Sequence, residues 1–327
     1  MIGHCLVTGC SGFIGWHLVN ALLERQVRVR GLTRACNVQQ NQQPDIDLFQ
    51  GDLTRPETLG GLARGIDTVI HAAGIAHTNS VGIGIHARTT LHGTHHLLKA
   101  AATEGVKRFV FISSIKAMPD PGNRCLDESD SGKPLDEYGL SRYRAEQLVL
   151  ETGQQTGMHV CVLRPVLVYG YGCKGNLAKM IAMIDRGLFP PIPENGNRRS
   201  MVDVRDLVRA ILLATEKSTA NGTTCIITDG EHYSTRRIYT AICKALGKPT
   251  PTWSTPAKLL KLLALSGDML GTLLRQAAPF DSSSYRRLHG SACYQSINAE
   301  SALGFRSQYT LEDALPQMIL AYRRNIP

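Results

Sequence analysis

Several protein classes are excluded by what this chain lacks. Its nine cysteines include no C-x-x-C pair, which removes the usual zinc-ribbon and thioredoxin-type spacings. No apolar run is long enough for a bilayer: the longest, Leu259 to Leu265, includes Lys261 and falls far short of the ~20 residues a spanning helix needs. The first residues already form a strand-like run, so no signal peptide is expected. There is no low-complexity tract and no internal repeat. Lys and Arg outnumber Asp and Glu by 36 to 27, a net charge of +9 that suits anionic ligands. These cations are scattered, and no basic block interleaves with aromatics, so nucleic acid is not an expected partner. Several cysteines sit in apolar runs, where an unpaired thiol packs as a small hydrophobe. The expectation is a cytoplasmic protein with reduced thiols.

What is present begins at the N-terminus. The apolar run His4 to Val7 leads into Thr8-Gly9-Cys10-Ser11-Gly12-Phe13-Ile14-Gly15, and Trp16 to Leu23 continue with helical spacing. Strand, glycine turn and helix in that order form a phosphate-binding device. Gly9 permits the tight turn, Gly12 lets backbone approach a pyrophosphate, and Gly15 lets helix and strand pack closely. A dinucleotide is therefore the expected ligand. Further strand-like runs follow at Val27–Leu32, Asp47–Leu53, Thr68–Gly74, Arg108–Ser114, His159–Val168 and Thr223–Thr228, with helical segments at Ile83–Glu104 and Tyr138–Gln155. Apolar strands alternating with helices imply a doubly wound α/β fold of Rossmann type, with ligands beyond the strands' C-terminal ends. With 327 residues the chain exceeds one typical domain. Residues 1–172 are expected to form the nucleotide domain, its sheet completed by about 200–230. Residues 173–199 and 231–327 are expected mainly to form a smaller substrate-binding lobe, with Leu259–Leu263 in its core, the alternative for that stripe being contact with a membrane surface.

Ser114 closes the fifth strand-like run, and Tyr138 and Arg142, four residues apart, share one helical face. A phenol beside a cation serves as an acid/base, because positive charge stabilises the phenolate. A serine at the strand end would hold the substrate oxygen against it. His92 and His96 also share a face, but no carboxylate or cysteine accompanies them, so no metal is expected.

The stretches Thr8–Gly15, Gly51-Asp52-Leu53, His71-Ala72-Ala73-Gly74, Phe111–Ser114, Tyr138–Arg142 and Leu163–Gly170 together resemble the extended short-chain dehydrogenase/reductases. That superfamily includes nucleotide-sugar epimerases, dehydratases and ketoreductases. Ser113–Lys116, Lys174–Leu177, Asn197–Val202, Arg287–Ser291 and Leu303–Phe305 are most similar to its bacterial O-antigen branch of 4-ketoreductases. The resemblance implies that Ser114, Tyr138 and Arg142 are catalytic. It implies cofactor contacts from Gly9, Ser11, Gly12, Phe13, Ile14 and Gly15, from Asp52, Leu53, Ala72, Ala73 and Gly74, from Pro165 and Val168, and from Tyr138 and Arg142 themselves. Asn176, Arg199 and Arg287 are implied to hold the diphosphate of a UDP-sugar, and a homodimer is implied through the helices around 83–104 and 138–155. Two positions depart from the family pattern: Arg142 stands where lysine is usual, and Thr90 where asparagine is usual.

NAD binders place an acid at the end of the second strand, whereas a 2′-phosphate calls for arginine. Here Arg30-Gly31-Leu32-Thr33-Arg34 offers Arg34 and no acid, which favours NADP(H) over NAD. The expected activity is NADPH-dependent reduction of a UDP-4-keto-6-deoxy-N-acetylhexosamine. The alternatives are a UDP-hexose or UDP-N-acetylhexosamine 4-epimerase with retained NAD, and a non-catalytic NADP-binding sensor.

Overall fold

The computed structural model describes residues 2–34, 46–74, 84–274 and 280–324. From the N-terminus come β1 (Cys5–Thr8), α1 (Phe13–Glu24), β2 (Val29–Thr33), β3 (Asp47–Gln50), β4 (Thr68–His71), α2 (Gly93–Thr103) and β5 (Arg108–Ile112). Next are β6 (Cys125–Leu126), α3 (Glu137–Thr156), β7 (His159–Pro165), β8 (Leu167–Tyr169), α4 (Asn176–Asp185), β9 (Met201–Asp203) and α5 (Val204–Glu216). The chain ends with β10 (Thr223–Ile227), α6 (Thr235–Leu246), α7 (Ala257–Leu274), α8 (Ser282–His289), β11 (Cys293–Tyr294), α9 (Asn298–Leu303) and α10 (Leu311–Arg324).

Seven strands form one parallel sheet in the order β3-β2-β1-β4-β5-β7-β10. The order reverses between β1 and β4, which creates the crevice where doubly wound sheets take ligands. Side chains alternate faces along each strand. Cys5 and Val7 of β1, with Val110 and Ile112 of β5, pack under α1, α5 and α9. Leu6, Phe109 and Phe111 instead pack with residues of α2 and α3 on the opposite face. Each such fully buried side chain contributes about 1.5–3 kcal/mol through removal of apolar surface from water. In α1, Gly15, Leu18, Val19 and Leu22 are its buried stripe, at the spacing a sheet-facing helix requires. A third core joins α4, α6 and α10 through Leu177, Ile181, Tyr239, Ile242, Leu315 and Ile319.

Several expectations need correction. The run His159–Val168 is not one strand. Pro165 has no amide hydrogen for a further ladder bond, and Leu167–Tyr169 leaves the sheet to pair with β9. The helix expected from Ile83 has its first residue outside the described segments, and Ala87–His92 within it is a π-helical turn. The stripe Leu259–Leu263 is not a lobe core: within it Leu260 alone is buried, followed by Ala264, while Leu259, Leu262, Leu263 and then Leu265 face outward. Leu97 and Leu98 of α2 lie in the sheet core. Among the cysteines, Cys125 and Cys293 form a disulfide that ties β6 to β11, contrary to the expectation of reduced thiols throughout. Cys5, Cys10, Cys161, Cys173, Cys225 and Cys243 are free, and Cys36 lies outside the described residues. No helix among the described residues is long and apolar enough to cross a membrane.

Candidate active site

The glycine turn sits at the C-terminal end of β1. Gly9 has φ +72°, a left-handed conformation, and a Cβ there would stand 2.9 Å from Ala73 backbone. A Cβ on Gly15 would run into the Gly9 carbonyl at 2.0 Å, so only glycine lets α1 start this close to the strand. The N-cap of α1 is Gly12, which offers no capping side chain. The first-turn amides of this helix, with Ser11 and Phe13 at its start and Ile14 within it, therefore form an anion cradle of the kind a pyrophosphate fills.

His71 ends β4 in register with Thr8. The buried imidazole meets Thr8 Oγ1 at 2.6 Å through Nδ1 and Thr94 Oγ1 at 3.0 Å through Nε2. Thr94 donates its hydroxyl hydrogen to the Thr90 carbonyl, so it must accept from Nε2–H, and Thr8 donates to a bare Nδ1. Thr8 Oγ1 in turn accepts from the Ala73 amide at 3.2 Å. Burial, with the nearby Arg142 charge adding to it, pushes the His71 pKa down to about 3, so the ring is neutral. This chain of bonds fixes the backbone of Ala72 and Ala73; sequence reasoning quoted His71 within a motif but missed its role. Ala72 and Ala73 are half-buried and Gly74 is exposed.

Tyr138 and Arg142 lie in the first turns of α3. Asp136 caps this helix by accepting from the Gly139 amide at 2.7 Å. A Cβ on Gly139 would stand 2.1 Å from the Lys116 carbonyl, so α3 begins directly on the turn that follows Ser114. That contact is what brings Tyr138 beside the end of β5. Ser114 is half-buried, and its hydroxyl accepts from the Lys116 amide at 3.2 Å. The Arg142 guanidinium is buried, donates to the Ile112 carbonyl at 3.0 Å, and lies 5.4 Å from the Tyr138 ring centroid and 5.7 Å from that of Phe111. Its Nη2 closes against Gly74, where a Cβ would stand only 2.1 Å away. Arg142 Nε is buried without a hydrogen-bond partner among the described residues. A polar ligand entering the crevice would supply that partner, so these residues fit a dinucleotide.

One further group approaches the Tyr138 ring. His86 stands edge-on to Tyr138 with ring centroids 5.4 Å apart, and neither its Nδ1 nor Thr90 Oγ1 has a partner among the described residues. Behind the site, Glu146 is fully buried, accepts from Ser113 Oγ, and receives a forked pair from Arg164 at 3.0 and 2.6 Å. This fork locks β5, α3 and β7 together beneath Ser114 and Tyr138. An arginine inside an apolar strand run was the available sequence signal for it.

The remaining candidates are spread around the crevice. Arg34 is exposed at the end of β2. Asp52 accepts from both the amide and the hydroxyl of Thr54 at 2.8 Å, and the amide bond, first among the causes, holds its carboxyl below the usual value. The Leu53 carbonyl bonds His96 Nδ1 at 2.8 Å, so this histidine has a structural partner. Pro165 is buried and Val168 half-buried. Asn176 is exposed at the first residue of α4. Arg199 donates to the Gly290 carbonyl at 2.9 Å, and desolvation lowers its pKa. Arg287, three residues before Gly290, is exposed and donates to Ser283 and Ser284 of its own helix at 2.8 and 3.1 Å. Arg199 is thus tied to the residue that ends α8, and Arg287 is engaged within α8. Among the described residues, Cys125, His232 and Cys293 are three potential metal ligands within 4.8 Å of one another, but the disulfide takes up both thiols.

Residues 5–228 match the NAD dependent epimerase/dehydratase family. The chain is 29% identical to a UDP-glucose 4-epimerase of Vibrio cholerae, over 97% of this chain and 94% of that protein. It is 23% identical to an N-acetyl-α-D-glucosaminyl-diphospho-ditrans,octacis-undecaprenol 4-epimerase of Escherichia coli O157:H7, over 98% and 95% of the two chains. Among solved structures, a UDP-glucose 4-epimerase with UDP-glucose from Thermotoga maritima shares the fold, with a TM-score of 0.77 and 22% identity over 98% and 99% of the chains.

Proposed function

The chain belongs to the NAD dependent epimerase/dehydratase family, and on that premise we propose that it reduces C4 of a 4-keto hexose carried on a nucleotide diphosphate, with NADPH as the reductant. The observation that carries the reductive direction is Arg34. It stands exposed at the end of β2, where an NAD binder would carry an acid for the ribose hydroxyls, and its charge suits a 2′-phosphate. A cofactor that is spent and exchanged fits net reduction.

The cofactor would be held by the turn Gly9–Gly15, by Asp52 and Leu53, by Ala72–Gly74, by Pro165 and Val168, and by Arg142 at its ribose. When bound, the nicotinamide supplies the hydride. The protein's own part is proton chemistry and positioning. Ser114 holds the ketone oxygen beside the phenol of Tyr138. Tyr138 donates its proton to that oxygen as negative charge builds there. Arg142, held 5.4 Å from the phenol ring by the Ile112 carbonyl, offsets the charge left on the phenolate. An arginine stays protonated throughout, so it acts by charge and hydrogen bonding rather than as a proton carrier. Asn176, Arg199 and, from the neighbouring helix, Arg287 would hold the diphosphate. In both named relatives the sugar hangs from a diphosphate, which suits this assignment.

A second reading, 4-epimerisation with retained NAD, is favoured by the likeness to the Vibrio cholerae enzyme. One comparison separates the two. With a UDP-4-keto-6-deoxyhexose, reduction predicts loss of NADPH absorbance in step with product. Epimerisation predicts conversion of UDP-glucose or UDP-N-acetylglucosamine to its C4 epimer with no reductant added. Turnover in neither assay would overturn both readings and leave a nucleotide sensor.

A further inference from the structure

We propose that α7 docks this protein on an anionic lipid bilayer surface. The helix presents two unlike faces. Leu260 and Ala264 are buried against the rest of the protein. Leu259, Leu262, Leu263, Leu265, Met269 and Leu270 are all exposed, Leu262 by 60% and Met269 by 76%. At about 100° per residue these six side chains occupy an outward arc of roughly 160° opposite the buried pair. A water-facing arc of that width, in which five leucines and a methionine surround Ser266, is a surface awaiting a partner.

The charges around it identify the partner. Lys258 and Lys261 are exposed on α7, with flexible stems that lay methylenes on apolar surface while the ammonium stays in water. The one acid of the helix, Asp268, is bonded to the amide and hydroxyl of Ser282 at the start of α8. Arg286 is exposed on α8, and the whole chain carries +9. Trp253, 62% exposed in the loop before α7, adds the side chain best suited to the headgroup boundary. A broad apolar arc, lysines and a tryptophan form the pattern of a helix lying in the membrane plane, and α7 is not apolar enough to cross. The surface stands independently of the reaction assigned above.

The test is co-sedimentation of the full chain with phosphatidylcholine vesicles with and without phosphatidylglycerol. The expected result is binding to the anionic vesicles, weakened by salt. A Leu262→Asp, Met269→Asp double variant should bind at least about tenfold more weakly, since two apolar anchors are lost. A Lys258→Gln, Lys261→Gln variant should lose most of the preference for anionic lipid. Both pairs face solvent, so the thermal unfolding midpoint should not move. Failure of the wild type to bind anionic vesicles, or equal binding by the Asp double variant, would overturn the proposal. So would sizing that shows a dimer which Leu262→Asp converts to monomer, because a second copy would then cover the face.

Discussion

His71 gives the sharpest physical prediction, because its neutrality is enforced by burial between two hydroxyls. The folded ring holds a pKa of about 3, whereas an unfolded chain's histidine titrates near 6.5. Below pH 6.5 the unfolded state takes up a proton that the folded state refuses. Stability from this group is therefore complete above that pH and is lost progressively as pH falls towards 3. At about 1.36 kcal/mol per pH unit the loss reaches about 2 kcal/mol at pH 5 and about 4 kcal/mol at pH 3, where the folded ring is itself half protonated. The imidazole is almost wholly shielded from solvent, so screening does not reduce this much. A His71→Gln variant removes the titration. It should be less stable by about 1–3 kcal/mol at pH 7.5, since one of the two buried bonds is lost. Urea unfolding at pH 7.5 and pH 5 checks this, as every other group titrates alike in both proteins. The wild type should lose about 2 kcal/mol more than the variant between the two pH values. Equal losses, or a folded His71 resonance titrating near pH 6.5 by NMR, would refute the reasoning.

Tyr138→Phe removes the phenol hydroxyl and leaves the ring in place. It should cut turnover by about 10²–10⁴ while NADPH affinity, read by nucleotide fluorescence, stays within about twofold. Arg34→Glu should lower the preference for NADPH over NADH by about tenfold or more in kcat/KM, the loss of a charge-assisted contact to phosphate; unchanged preference would remove Arg34 from the cofactor site. The disulfide closes a sequence separation of 168 residues, for which loop entropy sets a contribution of up to about 5 kcal/mol. Glu128 also laces the two segments, through the amides of Ile297 and Ile226 and the Ser296 hydroxyl at 2.8–2.9 Å, so the observed loss should fall below that ceiling. A reductant should lower the melting temperature of the wild type and leave Cys293→Ser unaffected.

The features legible in the sequence were those whose physics is local. The glycine turn, the apolar strand runs and the Tyr138–Arg142 spacing each follow from a few neighbouring residues. The features that were not legible depend on contacts between distant segments. Nothing near Cys125 indicates Cys293, because β6 and β11 meet only after the intervening chain has folded. The break at Pro165 was hidden because Leu167–Tyr169 is as apolar as the strand before it. The leucines after Pro256 have the spacing of a buried stripe, and periodicity alone does not say whether protein or another apolar phase covers them. His71 looked like one more residue of a strand motif; its tautomer follows only from Thr8 and Thr94 lying on either side. Arg142 was legible as a cation, but its anchor on Ile112 and its closure against Gly74 required the sheet.

The central claim is that a hydride reaches C4 of a diphosphate-linked sugar while Tyr138 delivers the proton. The most direct measurement uses NADPH deuterated at the transferable position of the nicotinamide, with a UDP-4-keto-6-deoxyhexose as substrate. One deuterium is expected at C4 of the product by mass spectrometry and NMR, with Tyr138→Phe forming the same labelled product about 10²–10⁴ more slowly. A product without deuterium at C4, or labelled product formed equally fast by the Tyr138→Phe protein, would contradict it.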